Sequence, residues 1–180
     1  TSFVLKIYNQ KYDVTISINH QGAIFNALAA ASVAHLLGVP IPTIIGGIEH
    51  PVTVGGRFER LLLKNGSGLL INDCYNANPE SMKAALLALQ KCHAKGKKIA
   101  ILGDMLELGM DSAFWHRQLG RFLRKVPTLN HLILVGKQVQ WTKKTVPMSL
   151  HAEHVPTWHE AVEKLEKLRQ LKKQCFLFLI

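Results

Sequence analysis

The densest group of reactive side chains in this chain is Asn72-Asp73-Cys74-Tyr75-Asn76-Ala77-Asn78-Pro79-Glu80-Ser81. Asp73, Tyr75 and Asn76 stand between the end of an apolar run and the start of an amphipathic one, where a simple turn would need none of them. Carboxylates, phenols and amides in a loop after a strand are suited to hydrogen-bonding a ligand's hydroxyls and amides. Asn78, Pro79 and Glu80 also have a local role as helix cap, first helical residue and acid at the positive end of the dipole.

A second polar loop, Gly103-Asp104-Met105-Leu106-Glu107-Leu108-Gly109, follows another apolar run. Asp104 and Glu107 could meet a metal or sugar hydroxyls, or simply be solvated, and residue chemistry leaves both readings open. His116 downstream reads first as a packed or exposed histidine. Gly55-Gly56-Arg57 sets a guanidinium beside flexible backbone, which suits either a phosphate clamp or an ordinary hinge. His151, His154 and His159 are poor candidates for a metal, because Thr157-Trp158-His159-Glu160 reads as a capping box. The sequence has no glycine-rich phosphate loop, dinucleotide fingerprint, nucleophile elbow or zincin motif, so no self-contained catalytic centre is expected.

Positioning these loops requires strands and helices in alternation. Alternating or apolar runs predict strands over residues 3–8, 12–18, 57–63, 69–73, 98–102, 131–135 and 174–180, with a further one at 149–154. Asn9-Gln10 is the predicted hairpin turn. Helices are predicted over 24–37, 41–48, 79–92, 112–125 and 157–173. The first of them is apolar around most of its circumference, hence expected to be buried, and it is closed by Gly38. Pro51-Val52-Thr53-Val54-Gly55-Gly56 is the predicted boundary between a unit of residues 1–52 and one of 53–180. Strand–helix alternation in the second implies an α/β fold, a mostly parallel sheet flanked by helices.

Composition narrows the function classes. With 48% apolar residues a packed core is expected, and no apolar run is long enough to span a bilayer. Three cysteines without metal spacing point to free thiols in a reducing compartment, the cytoplasm. A net charge of +10 invites a nucleic-acid reading, but the basic residues are scattered, and those at 164–173 interleave with Glu160, Glu163 and Glu166. That pattern is a solvated helix face, so nucleic acid is not an expected partner. The chain starts without Met and stops inside an apolar run, so it is expected to be a segment of a longer protein.

Asp73-Cys74-Tyr75-Asn76-Ala77-Asn78-Pro79-Glu80-Ser81-Met82-Lys83-Ala84-Ala85-Leu86, followed by Leu102-Gly103-Asp104-Met105-Leu106-Glu107-Leu108-Gly109 and His116, resembles the Mur ligase family. The wording is closest to the members that attach D-alanyl-D-alanine to UDP-N-acetylmuramoyl-tripeptide. Asn26-Ala27-Leu28-Ala29-Ala30-Ala31 and Gly56-Arg57 add to the likeness. The resemblance implies a Rossmann-like C-terminal domain preceded by the tail of an ATPase domain, within an ATP- and Mg²⁺-dependent amide ligase of peptidoglycan synthesis. It implies Asn26 at adenine, Arg57 at the phosphates and Asp73 at the ribose, with Tyr75, Asn76 and Asn78 lining the substrate cleft. Asp104, Glu107 and His116 would lie near the same cleft. The family's phosphate loop and metal ligands would belong to the missing N-terminal and central domains, leaving no catalytic residue and no metal site here. The segment alone is then expected to be inactive, and the alternative is a non-catalytic α/β binding module without an ATPase partner.

Overall fold

The computed structural model describes residues 1–17, 21–52, 54–63, 68–92, 96–169 and 174–179. They form two compact units, residues 1–53 and 54–180.

In the first unit, strands β1 (Ser2–Ile7) and β2 (Gln10–Thr15) form an antiparallel hairpin, followed by helices α1 (Gln21–Leu36) and α2 (Ile41–Glu49). The hairpin turns at Tyr8–Asn9 rather than Asn9–Gln10, because Tyr8 takes a left-handed φ of 50° and Gln10 already pairs with Ile7. Gly38, at φ 77°, ends α1 as expected: its N–H reaches the His35 carbonyl and the Val39 N–H reaches that of Ala34. The expected burial of α1 is not what the unit contains. Ala23 and Ala31 pack with Leu5, Val14, Ile16, Ile44 and Ile48, whereas Phe25, Val33 and Leu36 on α1 stay exposed. One hairpin and one short helix cover a single side of a largely apolar helix.

The second unit is a six-stranded sheet in the order β3-β4-β8-β5-β6-β7, from β3 (Glu59–Leu62), β4 (Gly68–Asn72), β5 (Lys97–Leu102), β6 (Leu129–Val135), β7 (His151–Val155) and β8 (Gln174–Leu179). Only the β3–β4 pairing is antiparallel. Helices α3 (Pro79–Lys91), α4 (Ser112–Phe122), α5 (Gln140–Lys143) and α6 (Trp158–Arg169) connect the strands. Period-2 alternation sorts the side chains by face. Ala100, Leu102, Leu132 and Leu134 pack with Met82, Leu86 and Leu89 of α3 and Leu119 of α4. Ile101, Ile133, Val135 and Val155 pack with Ala161 of α6. The chain therefore has the mostly parallel sheet flanked by helices that its alternation implies, Rossmann-like as the family resemblance implies.

Several local differences separate expectation from structure; among them, β2 covers Gln10–Thr15 rather than 12–18. Strand β3 starts at Glu59, not residue 57, because Phe58 has φ 51° and cannot continue a ladder. The α4 helix tightens into a 3-10 turn at Leu123–Lys125. Helix α5 was not expected, being too short to show a period. Ile18, residues 170–173 and Ile180, which the expected elements include, and Thr53 of the expected boundary lie outside the described residues.

Candidate functional site

Strands β4 and β5 both run parallel to β8, which lies between them, with Asn72 level with Phe178 and Leu102 level with Leu179. The loops that follow β4 and β5 therefore leave the same edge of the sheet, about 10 Å apart at two strand spacings. This is the carboxyl edge, where open α/β sheets hold ligands.

The loop after β4 is joined to the turn before β3. The Tyr75 N–H donates to the Gly56 carbonyl at 3.1 Å, and the Phe58 N–H donates to Asp73 Oδ1 at 2.9 Å. Gly56 is buried at φ 71°, a left-handed backbone that favours glycine, and a Cβ there would only make ordinary contact with Tyr75 N at 3.4 Å. Between Gly56 and Phe58, both left-handed, Arg57 projects its guanidinium carbon 4.0 Å from the centre of the Tyr75 ring. Tyr75 is 67% exposed. Among the described residues Arg57 has no carboxylate partner. An exposed guanidinium stacked on an aromatic face and free of acids is fit to receive an anion.

Asn76 and Asn78 are exposed on the same loop. Asn76 Oδ1 accepts the Ala77 N–H at 2.8 Å. Asn78 Oδ1 accepts the N–H groups of Glu80 and Ser81 at 3.1 and 2.9 Å, and Ser81 Oγ accepts the Asn78 N–H at 3.1 Å. That reciprocal pair is a capping box, and with Pro79 at the start it carries out the local role expected of this run.

The loop after β5 is organised inward. The Asp104 carboxylate accepts backbone N–H groups from Lys137, Gln138 and Val139 at 2.9, 2.8 and 2.8 Å, tying the β5 loop to the β6 loop. Gly136, at φ 116°, leaves room for it: a Cβ there would sit 2.7 Å from the Asp104 carboxyl carbon. His116 is fully buried; its Nε2 accepts the Met105 N–H at 3.1 Å, and its Nδ1 donates to the Ser112 carbonyl at 2.8 Å. Glu107 is exposed at φ 61°. Asn26 is exposed on α1, in the first unit.

Glu59 is the side chain that sequence reasoning passed over. Its Oε2 accepts the Asn72 side-chain amide at 3.0 Å and the Gly56 N–H at 3.3 Å. An acid three residues after a glycine turn was the available signal. Among the described residues no three His, Cys, Asp or Glu side chains converge into a metal-ligand group, and no helix is long and apolar enough to cross a membrane.

Residues 56–177 match the family described as Mur ligase, glutamate ligase domain. The chain belongs to the Mur ligase family. It is 36% identical over 121 residues to the UDP-N-acetylmuramoyl-tripeptide–D-alanyl-D-alanine ligase of Bacillus subtilis, covering 67% of this chain and 26% of that protein. The Escherichia coli enzyme of the same name is 34% identical over 138 residues, 77% of this chain and 30% of the relative. A crystal structure of MurF from Acinetobacter baumannii superposes with a TM-score of 0.84 at 30% identity, over 99% of this chain and 38% of that one. MurF ligase from Thermotoga maritima, solved with ADP, gives 0.76 at 25% identity, over 99% of this chain and 39% of that one. The Mur ligase chain described here thus spans between a quarter and two-fifths of the length of these relatives.

Proposed function

We propose that this chain is the nucleotide-closing part of an ATP-dependent ligase that joins D-alanyl-D-alanine to UDP-N-acetylmuramoyl-tripeptide in cytoplasmic peptidoglycan precursor synthesis. Residues 1–52 are read as the tail of a central ATPase domain and residues 53–180 as the C-terminal domain. The observation that carries the reading is Arg57: an acid-free guanidinium braced on Tyr75 at the carboxyl edge of a sheet, in a chain whose relatives bear that name.

In this reaction ATP phosphorylates the tripeptide carboxylate, and the dipeptide amine attacks the acyl phosphate and expels phosphate. Such chemistry depends on alignment and charge neutralisation more than on a protein nucleophile. Arg57 has the geometry to neutralise a nucleotide phosphate. Asp73, oriented by the Phe58 N–H, has the chemistry to accept ribose hydroxyls. Asn26 is assigned to adenine, and Tyr75, Asn76 and Asn78 to the cleft that receives the dipeptide. Asp104 and His116 act on that cleft indirectly, by fixing the β5 loop, while exposed Glu107 is left to line it. Mg²⁺ accompanies the nucleotide, with ligands from parts of the ligase outside this chain.

The test is a ligation assay with ATP, the UDP-linked tripeptide and D-alanyl-D-alanine. The 180-residue chain alone is expected to release no phosphate, whereas the full-length protein turns over. In the latter, Asp73→Ala and Arg57→Ala are each expected to raise the KM for ATP by roughly tenfold or more, the value of a lost charged contact. An unaltered KM in both variants would remove this loop from the nucleotide site.

A further inference from the structure

The turn that carries Arg57 is held by acids that do not touch Arg57. Gly56 and Phe58, the residues on either side, both have left-handed backbone, at φ 71° and 51°. Glycine adopts that conformation readily; phenylalanine does so only when its surroundings hold it there. Two carboxylates add to the hold that the Tyr75 N–H on the Gly56 carbonyl and the packing of Phe58 against the core provide. Asp73 takes the Phe58 N–H at 2.9 Å. Glu59 takes the Gly56 N–H at 3.3 Å while its same oxygen takes the Asn72 amide at 3.0 Å, tying the turn to the last residue of β4.

We infer that Glu59 is a positioning residue for the nucleotide-binding arginine: it clamps the Gly56–Phe58 turn onto the end of β4 and thereby aims Arg57 along the Tyr75 ring. This deepens the ligase reading and rests on it. Glu59 needs only to accept hydrogen bonds. Its negative charge is answered by an amide and a backbone N–H, not by Arg57, which leaves the guanidinium's charge for a phosphate. Without the clamp the turn relaxes toward ordinary backbone and the guanidinium leaves its stacked position, so the loss falls on nucleotide capture rather than on the sheet.

The experiment uses the full-length ligase. Wild-type turnover is measured first, and its absence would count against the ligase reading, not against Glu59. Glu59→Ala is expected to raise the KM for ATP by roughly tenfold, within the cost of an ångström-scale misplacement, with a smaller change in kcat. Glu59→Gln keeps the acceptor and is expected to recover most of that loss. In an Arg57→Ala background, Glu59→Ala is expected to add less than about twofold, because the two act as one unit. Nuclear magnetic resonance of the Arg57 side chain gives a readout independent of turnover: its ring-current shift from Tyr75 is expected to vanish in Glu59→Ala and persist in Glu59→Gln. Should Glu59→Ala fail to fold, Asn72→Ala, which removes the donor that anchors the carboxylate, is expected to raise the same KM several-fold. Additive effects with Arg57→Ala, an unchanged Arg57 resonance, or a lowered melting temperature with kinetics intact would each overturn the proposal.

Discussion

Two loops leave the same edge of one sheet and have opposite organisations. After β4, Tyr75, Asn76 and Asn78 are exposed, and the loop's strongest outward feature is the Arg57–Tyr75 stack. After β5, Asp104 is bound by three backbone N–H groups and His116 is buried between the Met105 N–H and the Ser112 carbonyl. Equivalent positions in the topology therefore do not imply equivalent jobs. An acid in a loop at a ligand-binding edge can be occupied entirely by holding the neighbouring loop in place, so that the first loop works against a fixed background.

The largest effect expected from this contrast is at Asp104. Asp104→Ala would strip the partner from three backbone donors on residues 137–139. Charge-assisted bonds of this kind, allowing for incomplete additivity, place the loss at about 2–4 kcal/mol. Urea unfolding of the chain, compared with the same change at exposed Glu107, is the measurement. Equal small losses at both positions would mean that the second loop is no more fixed than the first.

The contrast also marks how far sequence carried. The apolar runs of β5 and β6 and the Ala- and Leu-rich helices announce a buried parallel sheet, because both faces of those strands need apolar cover. The cap at Asn78 was equally legible, since Asn-Pro-Glu-Ser specifies its own bonds within four residues. What sequence left open were bonds between distant segments: Asp104 to residues 137–139, Asp73 to the Arg57 turn, and Glu59 to Asn72. A carboxylate's type fixes what it can accept, and only tertiary structure decides from where. Strand β3 was read as starting two residues too early for the same reason, as nothing local to Phe58 signals its left-handed backbone.

A smaller effect is expected at the opposite, amino edge of the sheet, where acid would act on neither loop. His131 on β6 pairs with His151 on β7, their rings 5.3 Å apart, and Lys97 of β5 lies nearby. Burial first, then Lys97 and His151, hold the His131 pKa below its ordinary value, while Glu153 opposes them. Glu153 is itself held low by its hydrogen bond to Lys164. For His131 the unfolded chain binds the proton more readily, so stability is full above about pH 6.5 and falls as pH drops through the lower folded value. Thermal melts of wild type and His131→Gln between pH 7.5 and 5.5, about two units around that range, are expected to converge as pH falls. A wild-type curve that stays parallel to the variant's would shift the acid sensitivity to the carboxyl edge and weaken the view of its second loop as a fixed support.

The smallest effect on stability is expected at Tyr75, and it is the sharpest test of the first loop. The ring is 67% exposed, its side chain meets Arg57 by stacking, and the bond that joins the loop to Gly56 uses the Tyr75 backbone, which alanine keeps. Tyr75→Ala should therefore lower stability by no more than about 0.5 kcal/mol, the range of surface substitutions. Yet it frees the guanidinium to sample rotamers that the ring excludes, so in the full-length ligase the KM for ATP should rise several-fold while the melting temperature stays put. Tyr75→Phe retains the aromatic face and separates the two candidate roles of the side chain. If it restores nucleotide capture, the ring works through Arg57; if the KM recovers but turnover with the dipeptide stays low, the phenolic hydroxyl belongs to the acceptor side of the cleft. A Tyr75→Ala variant as destabilised as Asp104→Ala would erase the distinction between an outward loop and an inward one.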